Sequence, residues 1–181
     1  MIKKLLFLSI LIMVNFYNYA NAEVITHNDN SKIYQTIKFK SGDPKANRIL
    51  YNFLINTESK RILKLANIQP EEIVAYKVNL NDYGEDEIIG YISRGPYWSR
   101  EGWQLFILQM KDGHYRNLAI HNFEPFDNVY IMKNKINGYR EIKSYVTNLE
   151  VFLRTKEIEH MSTYMHYENG KYEYDYSKKG K

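Results

Sequence analysis

Leu105-Phe106-Ile107-Leu108-Gln109-Met110-Lys111-Asp112-Gly113-His114-Tyr115-Arg116-Asn117-Leu118-Ala119-Ile120 reads as a β-hairpin. Two β-prone runs, 105–110 and 115–120, flank an Asp-Gly pair. Both central residues of a tight primed turn must reach positive φ, and such turns join antiparallel strands. The same punctuation recurs along the chain at Tyr83-Gly84, Asn137-Gly138 and Asn169-Gly170. Around these turns lie further short runs at 73–78, 88–92, 129–132, 142–146, 161–167 and 172–176. Together they make eight candidate strands, and their spacing predicts an antiparallel meander over 71–176.

Upstream of the meander the apolar period changes. Asp43-Pro44 is a helix start: Asp supplies the N-cap, and Pro occupies the first helical position, where its missing N–H costs nothing. Ala46, Ile49, Leu50, Phe53 and Leu54 follow at spacings of three and four, forming one apolar stripe. Ile62, Leu63, Leu65 and Ala66 continue the helix or start another after a break near 56–59, and Asn67 with Pro70 ends it. The helical region is therefore expected over 44–66, with its stripe packed on the sheet. Residues 23–42 begin polar and then alternate through Ile33, Tyr34, Ile37 and Phe39, as in an arm or an edge strand. The fold class expected is α+β: an N-terminal helical segment on an antiparallel meander of about eight strands.

The turns also contain an internal echo. Gly84-Glu85-Asp86-Glu87-Ile88-Ile89 corresponds to Gly138-Tyr139-Arg140-Glu141-Ile142-Lys143 at an offset of 54, and Asp112-Gly113-His114-Tyr115 to Asn169-Gly170-Lys171-Tyr172 at an offset of 57. This pattern fits two related four-stranded units whose length difference lies in the connection. Shared hairpin chemistry alone is the other explanation.

Val78-Asn79-Leu80-Asn81-Asp82-Tyr83-Gly84-Glu85-Asp86-Glu87-Ile88-Ile89 resembles the Asp-x-Asn-x-Asp-Gly-x-x-Glu-hydrophobic signature of FG-GAP or VCBS-like repeats. That resemblance implies a small exported bacterial protein and a loop that often holds calcium through carboxylates at its first and fifth positions. Here those positions are Asn79 and Tyr83. An Asn carbonyl can ligate calcium, but Tyr does not replace a carboxylate in a site that needs six to eight oxygens. The second copy, 133–142, keeps only Asn137-Gly138 and Glu141. Two units are too few to close a propeller of four or more blades.

Composition narrows the chemistry. The 181 residues contain no Cys, which excludes a disulfide scaffold, Cys-based zinc sites and thiol catalysis. Lys3 and Lys4, the apolar run Leu5 to Val14 and Ala20-Asn21-Ala22 read as a secretory signal peptide over 1–22. A ten-residue apolar run is too short for the ~20 residues of a membrane span. The expected mature chain is a single domain, 23–181, periplasmic or secreted, without stable membrane insertion after cleavage. Its core must be built without disulfide staples.

The formal net charge of +4 includes Lys3 and Lys4 and falls to +2 without them. Basic residues elsewhere are interleaved with acids, except in the tail at Lys178, Lys179 and Lys181, read as a frayed terminus. Nucleic acid is not an expected partner.

No catalytic constellation emerges. The five His residues, 27, 114, 121, 160 and 166, show no His-Glu-x-x-His or other metal spacing, and no nucleophile elbow, phosphate loop or dinucleotide fingerprint occurs. The chain is read as a non-enzyme with no cofactor and no metal. Its most unusual segment is Arg94-Gly95-Pro96-Tyr97-Trp98-Ser99-Arg100-Glu101-Gly102-Trp103, which carries both Trp residues in an interstrand connection. Trp, Tyr and Arg dominate binding hot spots, and connections on a rigid sheet carry recognition. Arg94, Tyr97, Trp98, Arg100, Glu101 and Trp103 are the candidate partner-binding residues, with Trp103 the more core-like Trp and Trp98 the more exposed. Tyr172, Tyr174 and Tyr176 share one face of a strand, either as a platform for sugar rings or a protein partner, or as ordinary hairpin packing.

The expected function is a non-catalytic binding module that recognises another protein, in its specific form an inhibitor or immunity protein neutralising a toxin or cell-wall hydrolase. The alternative is an exported calcium- or glycan-binding module.

Overall fold

The computed structural model describes residues 32–57, 60–94, 98, 99, 102–125, 128–155, 157, 159–175 and 177. The expected signal peptide and the basic tail lie outside these residues. Among the described residues ten strands form two antiparallel sheets, β1 (Ile33–Ile37), β2 (Ile73–Val78), β3 (Glu87–Ile92), β4 (Trp98–Ser99), β5 (Gly102–Lys111), β6 (His114–Phe123), β7 (Val129–Ile136), β8 (Tyr139–Thr147), β9 (His160–Glu168) and β10 (Lys171–Tyr174). The first sheet runs β2-β3-β5, with β6 on the far side of β5 and the two-residue β4 beside β5 beyond the end of β3. The second runs β1-β7-β8-β9-β10.

Three hairpins have the expected primed-turn backbone. Asp112-Gly113, Asn137-Gly138 and Asn169-Gly170 each place both residues at positive φ. Both halves of the echo are four-stranded meanders, β2-β3-β5-β6 and β7-β8-β9-β10. Glu87 and Glu141, 54 residues apart, are both buried, at 1% and 4% exposure.

The helical region is two pieces, α1 (Pro44–Ile55) and α2 (Lys60–Leu65), separated where the stripe breaks. Asp43 caps α1 by accepting the Ala46 N–H at 2.8 Å. The edge-strand alternative for the alternating arm holds, and two details go beyond the sequence expectation. The alternating arm pairs as edge strand β1 with β7, and a short helix, α3 (Leu149–Thr155), fills the connection between β8 and β9. The meander thus folds into two stacked sheets of ten strands in all, because the second unit covers the inner face of the first.

Both faces of the first sheet are buried, and all six residues of β3 are buried. Ile89 and Tyr91 point into a core shared with the second sheet, which contributes Val129, Ile131, Ile142, Met165 and Tyr172. Ile88 and Ile92 face the opposite way with Ile73, Ala75, Phe106 and Leu108, under Ala46, Leu50 and Leu54 of α1. The order of layers is helix, sheet, sheet. Full burial of a Leu such as Leu50 or Leu54 stabilises by roughly 1.5–3 kcal/mol.

The free edge of β2 is closed by the start of α1. Ala75 N–H donates to Asn47 Oδ1 at 2.7 Å, and its carbonyl accepts from Asp43 N–H at 2.7 Å. Tyr76 reinforces the same edge: its hydroxyl donates to the Lys38 carbonyl and accepts from Gly42 N–H. Capping an edge in this way removes a template for unwanted strand pairing. Asn47→Ala leaves the Ala75 N–H without its acceptor, and we expect a loss of about 1–3 kcal/mol in urea unfolding at unchanged m-value. A loss below about 0.5 kcal/mol would show the clamp to be dispensable.

Candidate functional site

The connection between β3 and β5 leaves the first sheet at Ser93 and returns through a small hairpin. Ser93 N–H and hydroxyl both donate to the Glu72 carbonyl, at 2.8 and 2.9 Å, which anchors the departure. Arg94 is exposed and pairs with the Glu72 carboxylate at 2.9 Å. Trp98 pairs with Trp103, and Ser99 with Gly102, so both Trp residues lie at the base of the same arm. Trp103 is half-buried against the shared core, in keeping with its core-like reading. Tyr97, Arg100 and Glu101 lie outside the described residues, as does the Trp98 side chain.

Gly102 has a close-packed backbone. Its φ is +115°, and a Cβ there would approach the Phe123 carbonyl oxygen to 2.4 Å. A side chain at this position would push the arm off the end of β6.

The four turns following β2, β5, β7 and β9 gather at the opposite end of the strands, and there the two sheets meet through polar groups. Glu87 is buried, and its carboxylate accepts from Leu80 N–H at 3.0 Å, Asn81 Nδ2 at 2.7 Å and Gln109 Nε2 at 3.0 Å. Gln109 Nε2 also donates to the Tyr139 hydroxyl at 2.6 Å, and its Oε1 accepts from Arg116 Nη2 at 2.6 Å and Nε at 3.0 Å. Tyr139 stacks on Tyr167 with ring centroids 3.8 Å apart. The Tyr172 hydroxyl donates to the Arg140 carbonyl at 2.9 Å. Burial pushes the Tyr172 phenol far up and raises the Glu87 carboxyl, the latter held back by its donors.

The loop resembling a calcium repeat docks at this junction. Asn79 Oδ1 accepts from Asp82 N–H and Asn81 Oδ1 from Tyr83 N–H, so these amides brace the turn. The Asp82 carboxylate pairs with Lys135 and with Arg140 Nη2 of the second unit, and these cations lower its pKa. Arg140 N–H donates to the Leu80 carbonyl at 2.7 Å. Tyr83, at the fifth position of the signature, is 80% exposed. Among the described residues no cluster of three or more His, Asp or Glu side chains is placed to hold a metal ion.

Of the two readings of Tyr172 and Tyr174, hairpin packing holds and the open platform does not. Tyr172 is 1% exposed, and the Tyr174 hydroxyl donates to the Asn122 carbonyl at 2.7 Å beside His121. Both face the first sheet, since their strand is the edge that closes the shared core. Tyr176 lies outside the described residues. His121 Nε2 lies 2.7 Å from the Tyr172 carbonyl, an acceptor, so that nitrogen carries the proton, and burial lowers the ring's pKa. Sequence reasoning passed over the Glu87–Gln109–Arg116–Tyr139 network. Only the paired positions of Glu87 and Glu141 in the two repeats signalled it.

No helix among the described residues is long and apolar enough to cross a membrane. No protein-family model, curated protein or solved structure matches the chain.

The buried carboxyl makes a pH prediction. With its folded-state pKa above the ordinary 4.5, Glu87 stays protonated in the folded protein over a window in which the unfolded chain releases the proton. Its contribution to stability is full below 4.5 and is lost as pH rises through the folded value. Urea unfolding from pH 4 to 7 should show the wild type losing stability relative to Glu87→Gln across that window. Glu87→Gln itself should cost about 1–3 kcal/mol at low pH, because an amide N–H₂ replaces one acceptor among three donors. Parallel stability curves would contradict this account of Glu87.

Proposed function

We propose that this chain is a non-catalytic protein-binding module of the extracytoplasmic space, acting as an inhibitor or immunity protein against a toxin or cell-wall hydrolase through the β3–β5 connection. The observation that carries this reading is the pairing of Trp98 with Trp103 at the base of an arm that extends the first sheet beyond β3. A two-residue strand on a ten-residue one gives the connection a fixed return into the sheet, and anchoring of that kind lowers the entropic cost of binding. Trp103 against the core ties that base to the rigid body of the fold. Arg94, held by Glu72, sets the position of the segment before the arm.

Further support comes from the sequence: the export signal at 1–22, and the concentration of Arg94, Tyr97, Trp98, Arg100, Glu101 and Trp103 in one short connection. Aromatic and Arg side chains so arranged make the anchors of an interface, and the contacts around them contribute less.

The test is affinity capture of an extracytoplasmic protein fraction on immobilised mature protein, followed by calorimetry on the captured partner. Trp98→Ala with Arg100→Ala should weaken binding by about 2 kcal/mol or more, some thirtyfold, without shifting thermal unfolding. Retention of the partner at wild-type affinity by the double variant would remove this connection from the interface.

A further inference from the structure

The outer face of the second sheet carries a cation that no carboxylate pairs with among the described residues. Ile142 and Met165 pair across β8 and β9 and point into the shared core, so strand alternation places Lys143 and Tyr164 on the opposite face. Lys143 pairs with Tyr130 on β7 and with Tyr164 on β9, giving a row of Tyr, Lys and Tyr straight across three strands. Tyr145, two residues along β8, shares this face. Lys143 Nζ lies 5.7 Å from the ring centroids of both Tyr145 and Tyr164.

The lysine is 9% exposed, an unusual state for a residue type that is almost never buried unpaired. Two aromatic faces are its contacts, and no carboxylate pairs with it among the described residues. Ring faces offset part of the cost of desolvating an ammonium, by about 0.5–2 kcal/mol each, but they do not neutralise it. Burial accordingly lowers the pKa of Lys143. An anionic group brought to this face would gain a charge-assisted contact that no described residue supplies.

The surrounding rings decide what carries that anion. Directly opposed residues on neighbouring strands have Cβ atoms about 4.5–5.5 Å apart, so cation and aromatic surface lie within the reach of one compact ligand. A pyranose bearing a carboxylate has both requirements in one ring: a C–H face for tyrosine and an oxyanion for lysine. We propose that the outer face of the second sheet binds a uronic-acid glycan, with Lys143 pairing the carboxylate and Tyr130, Tyr145 and Tyr164 carrying the sugar ring. This site is on β7–β9, independent of the β3–β5 arm, and does not rest on the protein-binding reading.

Calorimetric titration of the full mature chain with trigalacturonate, and with its methyl-esterified form as the uncharged control, tests the proposal. The acid should bind at least about tenfold more tightly than the ester, a preference worth about 1.4 kcal/mol. Lys143→Met should abolish the preference, Lys143→Arg should retain part of it, and Trp98→Ala with Arg100→Ala should leave it unchanged. Circular dichroism of each variant verifies the fold, and removal of an unpaired buried charge should leave Lys143→Met at least as heat-stable as wild type. Equal binding of acid and ester, no binding of the acid at millimolar concentration, or a preference surviving in folded Lys143→Met would each overturn the proposal.

Discussion

The first sheet has two apolar faces, and the rest of the molecule is arranged to cover them. One face takes the stripe of α1, the other takes the second meander, and β3 lies between with all six of its residues buried. Small residues make the helical contact close. A Cβ on Gly90 would meet Ala75 Cβ at 2.5 Å, so the two side-by-side strands admit only one methyl at that point. Remove the second meander and Leu105, Ile107 and Phe123 lose their cover, along with Ile89 and Tyr91. Burial of that shared core is the main stabilising term, and it exists only when both units are docked.

Apolar burial does not by itself choose how two twisted sheets stack. At the turn end the choice is made by polar groups that fit in one arrangement: Gln109 between the Glu87 carboxylate and the Tyr139 hydroxyl, Tyr172 on the Arg140 carbonyl, and Asp82 between Lys135 and Arg140. Such a network adds little net stability beyond the desolvation it must offset, but a slipped stacking would leave its buried members unpaired. At the other end Glu124, just past β6, also ties the sheets together, donating its N–H to the Tyr145 carbonyl at 2.7 Å and accepting from the Thr147 hydroxyl, and one of the longer connections there is the arm bearing both Trp residues.

Much of this was legible in local sequence because its causes are local. Asp112-Gly113 and Asn169-Gly170 declare primed turns through their tolerance of positive φ, and Asp43-Pro44 declares a helix start. The break between α1 and α2 follows from the lapse of the apolar period. The pairing of β1 with β7 was not legible, since its two strands are distant in sequence and each shows only that it has an alternating pattern. The tyrosine parity at 172 and 174 correctly put both on one face, but period two does not say which face is inward. Tyr172 faces in because β10 closes the sandwich. Lys143 escaped notice for the same reason: its neighbours across the sheet, Tyr130 and Tyr164, are assembled by topology.

If the two meanders are one cooperative body joined through a shared core, neither can open without the other. Native-state hydrogen exchange measures this directly, by comparing the slowest amides of β3 and β5 with those of β8 and β9 across low denaturant concentrations. The account predicts a common opening free energy in both sheets, equal to that of global unfolding. Exchange of the second sheet through a separate opening several kcal/mol cheaper than global unfolding, with β3 and β5 still protected, would contradict it.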